Sequence, residues 1–412
     1  MTKSPAFLLP LAFTLMVGGS AAAQGAITGS SGAQGPDSAT PMPAGPPPVP
    51  TSPTADKNTP TPPVLPDMTA YVLMDAKTGA VLAQAAPNLQ LPPASLTKLM
   101  TAHLVYQALE GGSLKMNQIV PVTTKAWHAG GSRMFISPTS VVTVDQLLHG
   151  LIIDSGNDAA VALAQEVAGS QGAFVQMMNK EAAKLGLTNT HYTNVTGLPN
   201  PALHTSAMDV AVLTRVILQD EPQILNISKE QSYTYDHITQ ASWNPVLPHD
   251  PTVDGLKTGL TKESGHCIDA TGVRNGIRLI AVVTGGPTWT ASTAAVESLL
   301  DYGQRFFTEA RIATAKAPIA TITSQALESG NVAVGVPASI TVTLPDDAVA
   351  KVTHQISVTT DLTPGVTKGE TIGSVTYTAE GKTLATSPLI ALADSAPVTW
   401  STKLKRKLGA ML

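Results

Sequence analysis

Three short motifs in this sequence carry side chains that could together perform covalent catalysis. They are Ser95-Leu96-Thr97-Lys98, Ser155-Gly156-Asn157 and Lys257-Thr258-Gly259. A serine hydroxyl is a weak nucleophile until a base removes its proton, and on a helix Lys98 would lie one turn after Ser95 on the same face. Each motif alone is common by chance, but all three in this order predict an acylating serine active site.

The side chains of these motifs divide into catalytic and substrate-binding groups. The predicted catalytic residues are Ser95 as nucleophile, Lys98 as base and Ser155 as proton relay to the leaving amine. The predicted substrate-binding residues are Asn157, Lys257, Thr258, Gly259 and Leu260. Lys98 can act as a base only if its pKa is lowered, which burial and the like charge of Lys257 would both cause.

Each predicted binding residue offers a different contact to a peptide. The amide of Asn157 can align a peptide or the lysine, whereas Lys257 and Thr258 present an ammonium and a hydroxyl to an anionic end group. Gly259 leaves space for a substrate against its strand. The backbone N–H groups of Ser95 and Leu260 are the expected oxyanion hole.

The segments around the motifs predict one domain that combines helices with a sheet. Helical spacing of apolar residues occurs at 95–109, 146–153, 159–168 and 296–307, and strand patterns occur at 71–74, 80–82 and 277–283. Strands from both ends of the segment, with helices between them, indicate an α/β domain over residues 67–312. Gly156 is expected to take a backbone conformation that most residues avoid.

The chain before this domain predicts export. Residues 1–23 combine Lys3, an apolar run and the small residues Ala21-Ala22-Ala23, which is typical of a cleaved secretory signal peptide. Residues 24–66 hold twelve of the 32 prolines and no aromatic residue. Such a segment cannot bury enough apolar surface to fold, so we expect a disordered linker.

The chain after the domain predicts two further units. Residues 313–397 alternate with period two between Gly and Pro residues, which predicts a small all-β domain. Residues 398–412 predict an amphipathic helix with Trp400, Leu404, Leu408 and Met411 on one face and basic side chains elsewhere. Such a helix is suited to binding the anionic surface of the inner membrane.

Composition excludes several other classes of function. The net charge is −4 with 13% charged residues, so no nucleic-acid partner is predicted. The single cysteine, Cys267, allows no internal disulfide and is expected to be structural. The nine histidines include no H-E-x-x-H or paired Cys/His spacing, so we predict neither a metal nor another cofactor.

Four segments resemble the low-molecular-mass penicillin-binding proteins. The resemblance is to D-alanyl-D-alanine carboxypeptidases of the type-5 class, peptidase family S11, and is carried by residues 91–98, 130–135, 155–160 and 254–259. It implies a serine β-lactamase/DD-peptidase-like fold, with an antiparallel sheet flanked by helices. It also implies removal of the terminal D-alanine from peptidoglycan pentapeptides through an acyl-enzyme on Ser95, which β-lactams would acylate as well. Such a protein would be periplasmic, attached peripherally to the inner membrane by its C-terminal helix.

Three positions depart from the pattern of this family. Leu260 replaces a histidine that many relatives carry after K-T-G, and Met208 replaces an arginine in the T-A-R-D position. Residues 285–298 contain no arginine, although a family arginine that helps to hold the terminal carboxylate falls in this range. We therefore expect the chemistry to be retained and the substrate preference to differ.

Three alternatives use the same motifs. A class A β-lactamase needs a glutamate in an E-x-x-L-N loop, and residues 221–226 contain one residue too many for that motif. A D,D-endopeptidase of the same family would use the same catalytic residues. A catalytically impaired, membrane-tethered peptidoglycan-binding protein is the non-enzymatic alternative. Release of D-alanine from a pentapeptide would distinguish the carboxypeptidase from the last two.

Overall fold

Residues 60–409 are described by a computed structural model, in which helices and antiparallel strands are mixed up to residue 306 and strands dominate afterwards. The predicted signal peptide, residues 24–59 of the predicted linker and residues 410–412 lie outside these residues. The helices are α1 (Thr97–Glu110), α2 (Thr124–Trp127), α3 (Val144–Ile152), α4 (Asn157–Ala168), α5 (Gln171–Lys184), α6 (Ala207–Asp220), α7 (Leu225–Ser228), α8 (Trp289–Phe306) and α9 (Trp400–Gly409).

Along the chain, the strands of the first part alternate with groups of these helices. They are β1 (Ala70–Asp75), β2 (Val81–Ala85), β3 (Ile119–Val120), β4 (Val142–Thr143), β5 (Ser232–Tyr235), β6 (Ile238–Ala241), β7 (Val253–Thr261), β8 (Gly265–Arg274) and β9 (Ile277–Gly286). The strands of the second part are β10 (Phe307–Ala313), β11 (Ala320–Thr323), β12 (Asn331–Gly335), β13 (Ile340–Pro345), β14 (Thr353–Val358), β15 (Thr371–Ala379) and β16 (Lys382–Ala391).

One five-stranded antiparallel sheet organises the first part, in the order β2-β1-β9-β8-β7. Side chains alternate between its faces, so Val72 and Met74 of β1 pack into one core and Tyr71 and Leu73 into the other. Residues of α1 and of α3 to α6 fill the first core, and α8 covers the opposite face. Strand β7 lies at the edge of the sheet and contacts the turn that carries Ser95.

Several element boundaries differ from those predicted. Ser95 lies in a 3₁₀ turn, Ala94–Leu96, and α1 begins only at Thr97. Helix α4 begins at Asn157, so this residue is helical and not part of the loop. Helix α8 begins at Trp289, seven residues before the predicted start at 296, because the side chain of Thr288 caps its N-terminus by accepting a hydrogen bond from Ala291 N.

The second part is built from a separate five-stranded antiparallel sheet, in the order β11-β12-β16-β15-β14, beside a β10–β13 ribbon. It joins the first part through the turn after β1. Thr343 of β13 donates to the buried carboxylate of Asp75 at 2.6 Å, and Lys77 forms an ion pair with Glu309 of β10.

Helix α9 rests on the second part through its polar side. Arg406 donates to the carbonyl oxygens of Leu327 and Glu328 at 3.1 and 2.9 Å. The opposite side leaves Trp400 76% exposed and Leu404 and Leu408 42% and 56% exposed. Between residues 60 and 409 the structure contains no helix with the length and apolarity needed to cross a bilayer.

Candidate active site

Ser95 is held on a short, unusual stretch of backbone. Ala94, the residue before it, has a φ of +47°, and Leu96 N donates to Pro93 O at 3.1 Å. Gly197 packs directly against this turn, since a Cβ added there would lie 1.7 Å from Ala94 O. Gly197 also has a φ of +87°, which favours glycine. The loop containing Gly197 therefore fixes the position of the Ser95 backbone.

Lys98 lies behind Ser95 and is completely buried. Its Nζ is 2.9 Å from Ser95 Oγ and donates to Thr196 O at 2.8 Å. Burial lowers the pKa of Lys98 well below its usual value, the like charge of Lys257 lowers it further, and Asp158 opposes the shift. Burial and Lys257 are the two causes predicted from the sequence. A lowered pKa favours the neutral amine, which is the form that can accept a proton from Ser95.

Ser155 and Lys257 form a second hydroxyl–amine pair in the same site. Lys257 Nζ donates to Ser155 Oγ at 3.0 Å and to Thr258 O at 3.1 Å. Lys257 is 1% exposed, and burial lowers its pKa to about 7. The cation at this position is thus easily lost, and an anion bound beside it would stabilise the charged form.

The prediction that Gly156 takes an unusual backbone conformation is wrong. Ser155, with a φ of +55°, takes the left-handed conformation, whereas the φ of Gly156 is −60°. Glycine is needed at 156 because a Cβ there would lie 2.8 Å from Asp158 Oδ1. That carboxylate accepts backbone N–H bonds from Met134, Phe135 and Ile136 at 2.8 to 3.2 Å.

Asn157 supports the same loop. Its Nδ2 donates to Gly130 O at 2.5 Å, while its buried Oδ1 has no hydrogen-bond partner. Ser132, from this loop, donates to Ser155 O at 2.6 Å. The amide nitrogen predicted to align a substrate is thus used to hold the loop that places Ser132 in the site.

The edge strand β7 supplies the other wall. A Cβ at Gly259 would lie 3.0 Å from Ala94 Cβ and 3.1 Å from Ser95 N, so glycine allows the strand to approach the backbone of Ser95. Leu260 follows with its side chain 46% exposed, and its backbone lies at the edge of the sheet. Thr258 is buried and borders the open space in front of Ser95.

A cleft of about 230 Å³ lies between these walls. It is lined by Ser95, Ser132, Ser155, Trp243, Thr258, Gly259, Leu260 and Trp289. The two tryptophans were not predicted. Trp243 is 46% exposed after β6, and Trp289 contacts the His266 ring edge-on, with 4.8 Å between centroids. The only feature of the sequence that could have indicated Trp243 and Trp289 is that each is a large aromatic residue outside any apolar periodicity.

The loop of Thr196 and Gly197 was also missed. Thr196 contributes only a carbonyl, which no side-chain pattern reveals, and the neighbouring Asn194 shapes the loop by accepting hydrogen bonds from Thr196 N and Gly197 N. The eight predicted residues are all found around the cleft or directly behind it.

Comparison with known proteins identifies the family to which the chain belongs. Residues 56–288 match the D-alanyl-D-alanine carboxypeptidase family, and residues 307–396 match the C-terminal domain of penicillin-binding protein 5. The chain belongs to the D-alanyl-D-alanine carboxypeptidase family. It is 37% identical over 337 residues to the D-alanyl-D-alanine carboxypeptidase DacC of Escherichia coli, a match that covers 79% of this chain and 84% of the relative.

Solved structures agree with this assignment. Penicillin-binding protein 5 from Haemophilus influenzae superposes with a TM-score of 0.75 at 33% identity, covering 82% of this chain and 99% of that one. Penicillin-binding protein D2 from Listeria monocytogenes, in its ampicillin-bound form, gives a TM-score of 0.54 at 26% identity, covering 58% and 98% of the two chains. The predicted fold and the predicted activity, a serine-type D-alanyl-D-alanine carboxypeptidase, are confirmed.

The glutamate considered for a β-lactamase has another place in this carboxypeptidase. Glu221 is 2% exposed, and its carboxylate lies 3.0 Å from His103 Nδ1. Neither residue lines the cleft. The carboxylate is thus engaged inside the fold and is not positioned to activate a water beside Ser95.

Proposed function

We propose that this carboxypeptidase acts through Ser95, with Lys98 as its base. Neutral Lys98 takes the proton of Ser95 Oγ, and the oxygen bonds to the carbonyl carbon of the penultimate D-alanine. The N–H groups of Ser95 and Leu260 donate to the oxyanion. The C–N bond then breaks, the leaving D-alanine amine receives a proton through Ser155, and water hydrolyses the ester. The 2.9 Å distance between Lys98 Nζ and Ser95 Oγ, in a buried site, carries this proposal.

Binding of the terminal carboxylate is assigned to Lys257 and Thr258. Lys257 is the buried amine on the Ser155 side, and Thr258 borders the cleft. Asn157 keeps its Oδ1 unpartnered beside this site and holds the loop of Ser132. Peptidoglycan stem peptides are the substrates, and β-lactams, which carry a reactive amide and a carboxylate, acylate the same serine.

The experiment is to measure D-alanine release from a pentapeptide ending in D-Ala-D-Ala. Wild type should release D-alanine and bind labelled penicillin covalently, and Ser95→Ala should do neither. Ser113→Ala, on the exposed surface beyond the far end of α1, is the matched control and should behave as wild type. Penicillin acylation without D-alanine release would contradict the proposal and would favour the binding-protein alternative. Cleavage of cross-linked peptides alone would favour the endopeptidase.

We also propose that α9 attaches the exported protein to the inner-membrane surface. Trp400, Leu404 and Leu408 are exposed together, and Lys403, Lys405 and Lys407 surround them. An amphipathic helix with tryptophan at one end and basic side chains binds anionic lipid headgroups. The predicted signal peptide would place the protein on the periplasmic side.

Vesicle sedimentation tests this attachment. Wild type should sediment with phosphatidylglycerol-containing vesicles and not with pure phosphatidylcholine, and the triple variant Trp400→Ala/Leu404→Ala/Leu408→Ala should stay in solution while retaining D-alanine release. Val358→Ala, at another exposed apolar side chain of the second part, is the control. Unchanged sedimentation of the triple variant would exclude α9 as the attachment site.

A further inference from the structure

A second cleft is lined by residues that are close in sequence to the Ser95 turn. It has a volume of about 480 Å³ and is formed by the segment before Ser95, the loop after Gly197 and the turn that follows β7. It is lined by Gln90, Leu91, Pro92, Pro199, Asn200, Pro201, Leu203, His204 and Glu263. None of these residues belongs to the catalytic cleft.

The two clefts are joined by shared segments of chain. Pro92 precedes Ser95 by three residues, and the loop of Gly197, which contacts Ala94 O, continues into Pro199. On the other wall, Leu260 lines the catalytic cleft and Glu263 lines the second one. Strand β7 ends at Thr261, so Glu263 lies in the turn that connects β7 to β8, three residues after Leu260.

The direction of a bound peptide follows from the proposed roles of the catalytic residues. Its terminal carboxylate lies at Lys257 and Thr258, and its reacting carbonyl lies at Ser95 and Leu260. The residues that precede the two D-alanines must then continue past Leu260, antiparallel to β7, towards Glu263. An edge strand can add such a segment by main-chain hydrogen bonds, and β7 is at the edge of its sheet.

The lining of the second cleft suits a long side chain with a positive end. Leu91, Pro92 and Leu203 provide apolar surface for methylene groups, and Glu263, on the exposed turn, is the only charged side chain apart from the titratable His204. Neither lysine nor arginine is among the lining residues. An ammonium at the end of an aliphatic chain matches both features, since the chain packs on the apolar surface and the charge reaches the carboxylate.

We propose that this cleft binds the amine-bearing side chain of the stem-peptide residue that directly precedes the two D-alanines. A cross-linkable stem peptide needs such an amine, so the cleft selects peptides that are still able to form cross-links. Glu263 is the specificity-determining residue of this subsite and takes no part in the chemistry. The inference rests on the proposed function, because the direction of the peptide is set by the roles assigned to Ser95 and Lys257.

A matched pair of pentapeptides tests the subsite. One carries lysine before D-Ala-D-Ala, and the other carries norleucine, which keeps the aliphatic chain and lacks the amine. For wild type we expect kcat/KM for D-alanine release to be about fivefold higher with the lysine peptide, the range of a partly exposed ion pair, and the difference to lie in KM. Glu263→Gln should remove this preference and leave the norleucine peptide unaffected.

The control is Glu110→Gln, which removes the same charge from an exposed position at the last residue of α1, about 18 Å along the helix from Lys98. It should keep the wild-type preference. Equal kcat/KM for the two peptides in wild type, or an unchanged preference in Glu263→Gln, would overturn the subsite. Release from neither peptide by wild type would instead refute the proposed function, so the two failures are distinguishable.

Discussion

Helix α1 carries two buried basic side chains, Lys98 and His103, in opposite electrostatic surroundings. Lys98 Nζ contacts a hydroxyl and a backbone carbonyl. His103 lies between two carboxylates, with Nδ1 3.0 Å from Glu221 and Nε2 3.4 Å from Glu181. Both side chains are at most 1% exposed. The helix and the degree of burial are the same, so the difference between the two sites lies in their partners.

The partners set the direction of each pKa. Burial lowers the pKa of Lys98, and the cation of Lys257 adds to the effect. Burial also acts to lower the pKa of His103, but the hydrogen bonds and charges of Glu221 and Glu181 outweigh it and raise the value. A buried base becomes chemically useful when no carboxylate neutralises it, and it becomes a structural cation when carboxylates surround it.

Replacing Lys98 should produce the largest effect. Lys98→Ala removes the proposed base, and we expect the rate of acylation by labelled penicillin to fall about 10³-fold, within the range of general-base catalysis. Lys184→Ala, which removes an amine that is 67% exposed on α5, is the control and should acylate at the wild-type rate. Equal acylation by wild type and Lys98→Ala would refute Lys98 as the base. Lys98 and His103 would then not differ in function.

Removing one of the two carboxylates that contact His103 should make its electrostatic surroundings more like those of Lys98. In Glu221→Gln we expect the pKa of His103 to fall, because burial then opposes a weaker attraction, and the free energy of unfolding to fall by about 1–3 kcal/mol. NMR titration of the imidazole and urea unfolding measure the two effects. Glu230→Gln, which lies 3.6 Å from His149 instead, should leave His103 unchanged.

The cost of Glu221→Gln should depend on pH with a definite sign. The pKa of His103 is raised on folding, so its stabilising contribution is complete below the usual value of 6.5 and is lost as pH rises through the folded value. We therefore expect Glu221→Gln to destabilise the protein more near pH 6 than near pH 9. A cost that increased towards alkaline pH would mean that His103 is neutral in the native protein.

The loop that supports Lys98 and Ser95 can be tested with two glycines. Gly197→Ala should slow acylation about 10- to 100-fold, because the new Cβ meets Ala94 O and strains a left-handed backbone. Gly186→Ala is a matched control, since its φ is +72° but nothing lies within 4 Å of the added Cβ. Both variants place an alanine in a left-handed, strained conformation, but only Gly197→Ala should displace Ser95. Similar acylation rates would show that the clash is relieved elsewhere.

The sequence predicted the parts of this site that are marked by side-chain type and motif order, and missed those that depend on packing alone. Ser95, Lys98, Ser155 and Lys257 could be recognised because their side-chain types and order are distinctive. Trp243 could not, because it reaches the cleft from a loop without periodicity.

Backbone detail was equally out of reach of the sequence. The left-handed residue is Ser155 and not Gly156, and glycine is needed at 156 because the carboxylate of Asp158, two residues later, occupies the space of a Cβ there. The carbonyl of Thr196 that anchors Lys98 carries no side-chain signature at all. The fold itself was predictable, since the continuous apolar run of β1 and the apolar helices indicate elements that are buried between layers.

The smallest expected effect concerns Lys257, the second amine of the site, and tests whether it also lacks a neutralising carboxylate in the free protein. Burial lowers the pKa of Lys257 to about 7, so its protonated fraction falls about fivefold between pH 7 and pH 8. We expect kcat/KM for D-alanine release to decline with this charge, because Lys257 is the proposed partner of the terminal carboxylate. In Lys257→Arg the cation persists, and the decline should disappear. A decline of the same size in both proteins would assign the titration to another group, and Lys257 would then be a permanent cation unlike its neighbour Lys98.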